Sequence, residues 1–308
     1  MRFLFSCSML IATFCCGPVL ALDQSEQCDG KLLSELQRVP KVWKMADGIA
    51  TYAKLNINID GYGRAYHRKN YETDAVIHLC NAGQVFLPDG SSYHGSESNA
   101  TCTGKFMSDV ARIEAAGWND PEVGAIRWYG ILGTGNSTIK GHTIEGVVPV
   151  SQSDGSGYYV SPTALYDGTV PEAAQQDRYI NPLTIPAAVI PARLQKAGIQ
   201  LGSFGVAISR KTNIAVPFIV GDAGPRVGEG TPALARQLAG LPLLDSMTRK
   251  NRYAGQIDTQ SVLWVFFGDD AVKYDHASPQ AVVEAAKEAF ERWGGSRRLA
   301  ACQKTIPL

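Results

Sequence analysis

From residue 55 onward the chain is built of short apolar runs separated by glycine, proline and small polar residues. Leu55-Asn56-Ile57-Asn58-Ile59 alternates apolar and polar with period two, the pattern of a half-buried strand, and Asp60-Gly61 directly after it is a turn signal. Further strand-type runs lie at residues 128–132, 146–150, 158–160, 187–190, 204–208, 214–220 and 262–267. Residues 31–55 carry patches of helical spacing broken by Pro40 and Gly48 and predict short helices. Residues 83–105, rich in Gly, Ser, Asn and Asp, predict a surface loop region. Two helices are well marked. Thr231 offers an N-cap, Pro232 takes the first helical position and Gly240 closes the first of them. Ser278-Pro279 opens the second, in which Val282, Ala286, Ala289 and Trp293 share one face until Gly294-Gly295 stop it. Many short strands with sparse helices predict a mainly β (α+β) fold, a barrel or a closed, strongly bent sheet.

The start of the chain has a different texture. Arg2 precedes an apolar run broken by Gly17 and Pro18, with small-residue spacing up to Ala21 and polar Asp23 beyond. This predicts a secretory signal over residues 1–21, cleaved after Ala21, and a single domain over residues 22–308. The competing reading is a membrane anchor, but the run is barely long enough to span and contains a breaker. The expected location is therefore secreted or periplasmic, with no membrane association once the signal is gone.

Charge narrows the partners. The 29 basic and 29 acidic side chains become 28 and 29 when Arg2 leaves with the signal, so there is no electrostatic case for nucleic acid. A monomer is expected.

Of the 7 cysteines, Cys7, Cys15 and Cys16 fall in the signal, leaving Cys28, Cys80, Cys102 and Cys302. An even count in an exported chain favours two disulfides. The preferred pairing is Cys80 with Cys102, closing a polar loop, and Cys28 with Cys302, tying the termini; free buried thiols are the alternative. No pair has the close spacing of zinc ligands, and neither a metal nor a cofactor is expected.

Several chemistries lack their motifs. There is no Gly-x-Ser-x-Gly elbow, no complete dinucleotide fingerprint around Gly133 and Gly135, and no phosphate loop. The 5 histidines are scattered without metal-ligand spacing. Carboxylates remain as the best chemical tools. In residues 214–231 an apolar strand delivers Asp222 to its exit, a glycine and proline turn follows, and Glu229 stands just before the capped helix. Glycines there leave the backbone open to a ligand, and the helix start favours an ionised acid. Two acids with different protonation preferences in one cleft suit acid and base roles. The competing reading is that Asp222 caps a turn and Glu229 caps or solvates the helix start. Asp60, at a strand end, either positions water or an amine, or simply starts its turn.

Gly221-Asp222-Ala223-Gly224-Pro225 and Gly228-Glu229-Gly230-Thr231, followed by Ala233-Leu234-Ala235, resemble the signature of glycoside hydrolase family 75, the fungal-type chitosanases. Ile57-Asn58-Ile59-Asp60-Gly61 with Ala65-Tyr66-His67, then Asp74 and Asn81-Ala82-Gly83, is similar to that family's first block, and the 158–165, 178–179 and 185–186 segments look like its middle. The 204–207 and 265–268 segments also fit, so the resemblance spans roughly residues 50–270. It implies endo-hydrolysis of β-1,4 links between glucosamine units, with inversion, by an aspartate and a glutamate that map onto Asp222 and Glu229. An inverting pair implies carboxyl groups about 6.5–9.5 Å apart. Asp60, Tyr66, His67, Tyr159 and Tyr179 are then candidates to contact the polysaccharide, although tyrosine serves equally as core filling. Asn58 stands where an acidic residue is expected, Thr231 replaces a commoner serine, and the two acids are closer in sequence than in fungal members. A fainter resemblance of the turn after Asp222 to double-psi β-barrels implies a six-stranded double-psi-like barrel with peripheral helices, Asp222 as general acid and Glu229 as general base. Two alternatives stay open: a peptidoglycan-active hydrolase, and a non-catalytic expansin-like binding barrel.

Overall fold

The computed structural model describes residues 28–33, 41–70, 73–268 and 271–308; the expected signal, residues 1–21, lies outside the described residues. In chain order the elements are β1 (Lys31–Leu32), β2 (Val42–Met45), β3 (Gly48–Ile57), β4 (Gly83–Phe86), β5 (Ser92–His94), α1 (Phe106–Ala115), β6 (Ala125–Trp128), β7 (Gly133–Ile139), β8 (His142–Pro149), β9 (Ala187–Ile190), α2 (Ala192–Lys196), β10 (Phe204–Ser209), β11 (Ala215–Ala223), β12 (Glu229–Gly230), α3 (Pro232–Leu238), β13 (Ile257–Phe267), α4 (Pro279–Trp293) and α5 (Gly295–Thr305).

Six strands close a barrel in the order β3-β12-β9-β11-β10-β13, with β13 returning to pair with β3. The mainly β, barrel-with-peripheral-helices expectation is met. Neighbours are antiparallel except β9 with β11 and β3 with β12, which run parallel. β2 and β1 extend outward from β3. The chain between β3 and β9 forms a three-stranded sheet, β5-β4-β6, and the β7–β8 hairpin. This part has its own core around Leu79, Val85, Phe106, Ile113, Ile126 and Trp128.

The barrel strands bury both faces, which is why their sequences read as continuous apolar runs. On β13, Leu263, Val265 and Phe267 pack with Val282, Ala286, Ala289, Phe290 and Trp293 of α4. Val262, Trp264 and Phe266 pack the other way, with Ala207, Val216, Phe218 and the α3 residues Leu234 and Leu238. Trp264, Phe218 and Phe266 are fully buried, each contributing about 1.5–3 kcal/mol or more over exposure. α3 is capped as expected, with the Thr231 hydroxyl accepting from Leu234 N.

Five expectations are corrected. Residues 42–57 are the β2–β3 hairpin rather than helices, with Met45 opposite Gly48. Residues 49–53 and 55 are all buried, so the run shows no alternation and its apolar patches mimic helical spacing. Residues 83–105 contain β4 and β5, half-solvated strands whose polar positions resemble a loop, and α1 follows. The 128–132 run supplies only the last residue of β6, and Tyr158 and Tyr159 make single bridges to His67 and Ser151 rather than a strand. Gly294 does end α4, but Gly295, with φ +57°, opens α5.

Both preferred cysteine pairs stand at disulfide distance. Cys28–Cys302 spans 274 residues and Cys80–Cys102 spans 22, with Cα–Cα separations of 4.9 and 5.2 Å. Among the described residues no helix is long and apolar enough to cross a membrane.

Candidate active site

The ends of β3, β11 and β12 assemble one acidic cluster. β11 pairs in parallel with β9, and a register shift between Val220 and Asp222 sets Asp222 opposite Val189. A turn through Gly224 and Gly228 then brings the chain back into the barrel as β12. Gly228 has φ +95°, and a Cβ there would lie 2.7 Å from the Lys54 carbonyl, so only glycine fits. β12 places Glu229 opposite Asn56 of β3, and Asn58, two residues on, donates its backbone N–H to Gly230 O at 2.8 Å. Period-two geometry therefore puts Asn56, Asn58 and Glu229 on one face. Gly224 lies beside Glu229, its added Cβ falling 3.6 Å from Glu229 Oε2.

Asp222 is the most densely bonded acid. Its Oδ1 accepts from Ala164 N and Ala223 N, both at 2.9 Å, and its Oδ2 from Asn58 Nδ2 at 3.0 Å. Burial raises its pKa above the ordinary aspartate value, and these three N–H donors work against that rise. Asn58 also accepts from Asp60 N through Oδ1 at 2.8 Å, so one amide fixes two acids. Asp60 is held well above the ordinary aspartate value by burial first and by the charge of Asp222 next, with hydrogen bonds from Asn58 and Ser161 opposing. Glu229 is partly buried, its side chain 18% exposed, and its Oε1 accepts from Arg226 Nε at 2.8 Å. Asn58, Asp60, Thr163, Asp222 and Thr231 border a common small cavity.

Asp60, Asp222 and Glu229 are thus brought together. Tyr66, His67, Tyr159 and Tyr179 are not presented for stacking, being only 5, 5, 4 and 5% exposed. Tyr66 and Tyr159 belong to the core beneath the β5-β4-β6 sheet. His67 meets Tyr158 edge to face and shares a polar contact with Ser156 O, while Tyr179 donates to Ala173 O. Their apolar bodies are worth more in the core than in water, which is why a tyrosine-rich segment does not by itself make a sugar platform. Tyr179 does border a larger cleft of about 440 Å³, along with Tyr62, Asp177, Asp245, Tyr274 and His276. Neither Asp222 nor Glu229 borders that cleft. The two cavities meet at a shared wall, because Asp60 and Ile180 border the small one and Gly61 and Asn181 the large one.

Sequence reasoning passed over Tyr166. It is 45% exposed and lies two residues beyond Ala164, the donor to Asp222. The Arg178 guanidinium covers its ring at 4.2 Å. Single aromatics in loops carry no periodic signal, so only the contact of this strap with Asp222 marks it. Ser161 and Arg226 were equally unmarked.

Two other groups have metal-ligand composition among the described residues: His78 with Cys80 and Cys102, and Asp167 with Asp275 and His276. The first is the disulfide with its neighbouring imidazole. In the second, Asp167 Oδ2 is already engaged by His276 N at 3.0 Å and Nδ1 at 2.7 Å. No family model matches the chain, and no curated protein matches it.

Proposed function

We propose that the chain is a secreted glycoside hydrolase of the chitosanase type, cleaving β-1,4 links between glucosamine units with the carboxyl groups of Asp222 and Glu229. The observation that carries this reading is the convergence of those acids, with Asp60, at the joined ends of β3, β11 and β12. Burial favours a protonated carboxyl in this cluster, and N–H donors favour an ionised one. That is the chemical contrast hydrolysis of a glycoside needs. Acidic side chains also suit a polymer whose amines are protonated. Disulfide-distance cysteine pairs fit the oxidising surroundings an exported enzyme meets. The ordered sequence blocks resembling family 75 point the same way.

The test is incubation of purified protein with chitosan, chitin and purified cell wall, reading soluble reducing ends. Chitosan is expected to yield oligosaccharides, with Glu229→Gln and Asp222→Asn each reducing turnover by about 10²-fold or more. Products from cell wall alone would move the substrate to peptidoglycan. One observation favours a binding module instead: Arg226 occupies Glu229 Oε1. Retention on insoluble polysaccharide with no product from any substrate would establish that reading.

A further inference from the structure

We infer that Asp60, rather than Asp222, delivers the proton to the departing glycosidic oxygen, and that Asp222 beside it works as an ionised partner. The inference rests on the hydrolase reading and refines the roles within that site.

Hydrogen-bond bookkeeping separates the two acids. Both oxygens of Asp222 face N–H groups: Ala164 N and Ala223 N at Oδ1, Asn58 Nδ2 at Oδ2. Such groups only donate, and three of them on one side chain are best satisfied by a carboxylate. The side-chain partners of Asp60 are the Asn58 amide, which Asp222 shares, and the Ser161 hydroxyl, and both favour its ionised form. The Ser161 hydroxyl is shared in turn, since its oxygen also donates to Gly130 O at 3.3 Å, so Asp60 has no donor of its own comparable with the two backbone N–H groups on Asp222.

Geometry also ties the two together. Asn58 reaches Asp222 with its amide nitrogen and takes Asp60 N on its amide oxygen at 2.8 Å, and both acids border the same small cavity. Two carboxyl groups so placed do not readily carry two charges, so the group with N–H donors ionises and the other keeps the proton. Glu229, itself paired with Arg226, adds a further negative charge that opposes ionisation of Asp60. Asp60 is half-buried and borders the small cavity beside Asp222.

In the reaction, the Asp60 O–H proton passes to the glycosidic oxygen as the bond from that oxygen to the anomeric carbon breaks, its electron pair staying on the oxygen. Water adds to the anomeric carbon from the opposite face and gives its proton to the Glu229 carboxylate. Asp222 stabilises the positive charge that develops on the sugar. Solvent returns a proton from Glu229 to Asp60, so one water is consumed per bond.

Two measurements test this. In the first, Asp60→Asn and Asp222→Asn are compared on chitosan and on an aryl glucosamine oligosaccharide whose dinitrophenolate leaves without protonation. Asp60→Asn is expected to lose about 10²–10⁴-fold on chitosan and to stay within about tenfold on the aryl substrate, whereas Asp222→Asn loses on both. In the second, the side-chain carboxyl carbon of Asp60 in the wild-type protein is titrated by NMR, which requires neither activity nor a folded variant. It is expected to titrate well above free aspartate. Ordinary titration of Asp60, or equal losses on both substrates in Asp60→Asn, would overturn the donor role while leaving the hydrolase reading intact. A wild type inert on every polysaccharide and aryl substrate would overturn that reading, and the donor role with it.

Discussion

The Asn58 side-chain amide donates to Asp222 Oδ2 at 3.0 Å across 164 residues of sequence. The same amide holds Asp60 through its backbone N–H. One neutral side chain at the end of β3 therefore sets the spacing of two acids, and a carboxylate in its place would add a third negative charge.

Burial makes ionisation of Asp60 costly to the fold. A raised folded-state value means stability is fully present below the ordinary aspartate pKa and is lost as pH rises through the folded value. Asp60→Asn is accordingly expected to melt above wild type at about pH 7, with the difference fading below about pH 4. Melting curves across that range check it; a variant that melts lower at neutral pH contradicts it.

Asp167 and His276 form a link with opposite linkage signs. Hydrogen bonds from Thr169 and His276 hold Asp167 far below the usual carboxylate range, so its contribution appears above the ordinary aspartate pKa and is lost as pH falls through the folded value. The hydrogen bond to Asp167 raises His276, whose contribution is complete below the ordinary histidine pKa and is lost as pH rises through the folded value. Both are present between about pH 4 and 6.5. The gap in melting temperature between wild type and Asp167→Asn is expected to be widest in that window and to narrow on either side. A gap independent of pH would show that the link is purely steric.

Gly228→Ala combines a left-handed backbone at φ +95° with a contact of 2.7 Å to Lys54 O. The expected cost is about 1–3 kcal/mol. Because β12 is only 2 residues long and begins at Glu229, turnover is expected to fall more than stability does. Comparing denaturant midpoints with activity separates the two effects.

The Cys28–Cys302 bridge closes a loop of 274 residues and joins the segment before β1 to α5. Replacing both cysteines with serine is expected to cost about 2–4 kcal/mol. Non-reducing peptide mapping should recover the Cys28 peptide attached to the Cys302 peptide, and the Cys80 peptide attached to the Cys102 peptide. Cross-pairing would refute the assignment.

What the sequence determined by itself were the features governed by short-range rules. β9 and β10 appear almost residue for residue in their apolar runs, α3 in its Thr-Pro start, and the buried face of α4 in its three-to-four-residue spacing. Asp222 and Glu229 stand out for the same reason, since strand exit, turn and helix cap are neighbours along the chain. The β2–β3 hairpin was hidden because a strand buried on both faces loses its alternation. Only the tertiary structure decided that Asn58 bridges Asp60 and Asp222, and that Tyr66, His67 and Tyr159 are buried. Those outcomes depend on barrel closure, which joins strands far apart in sequence. Polarity and local spacing are encoded residue by residue, whereas which polar groups meet, and which rings lose their solvent, is settled by which strands come to lie side by side.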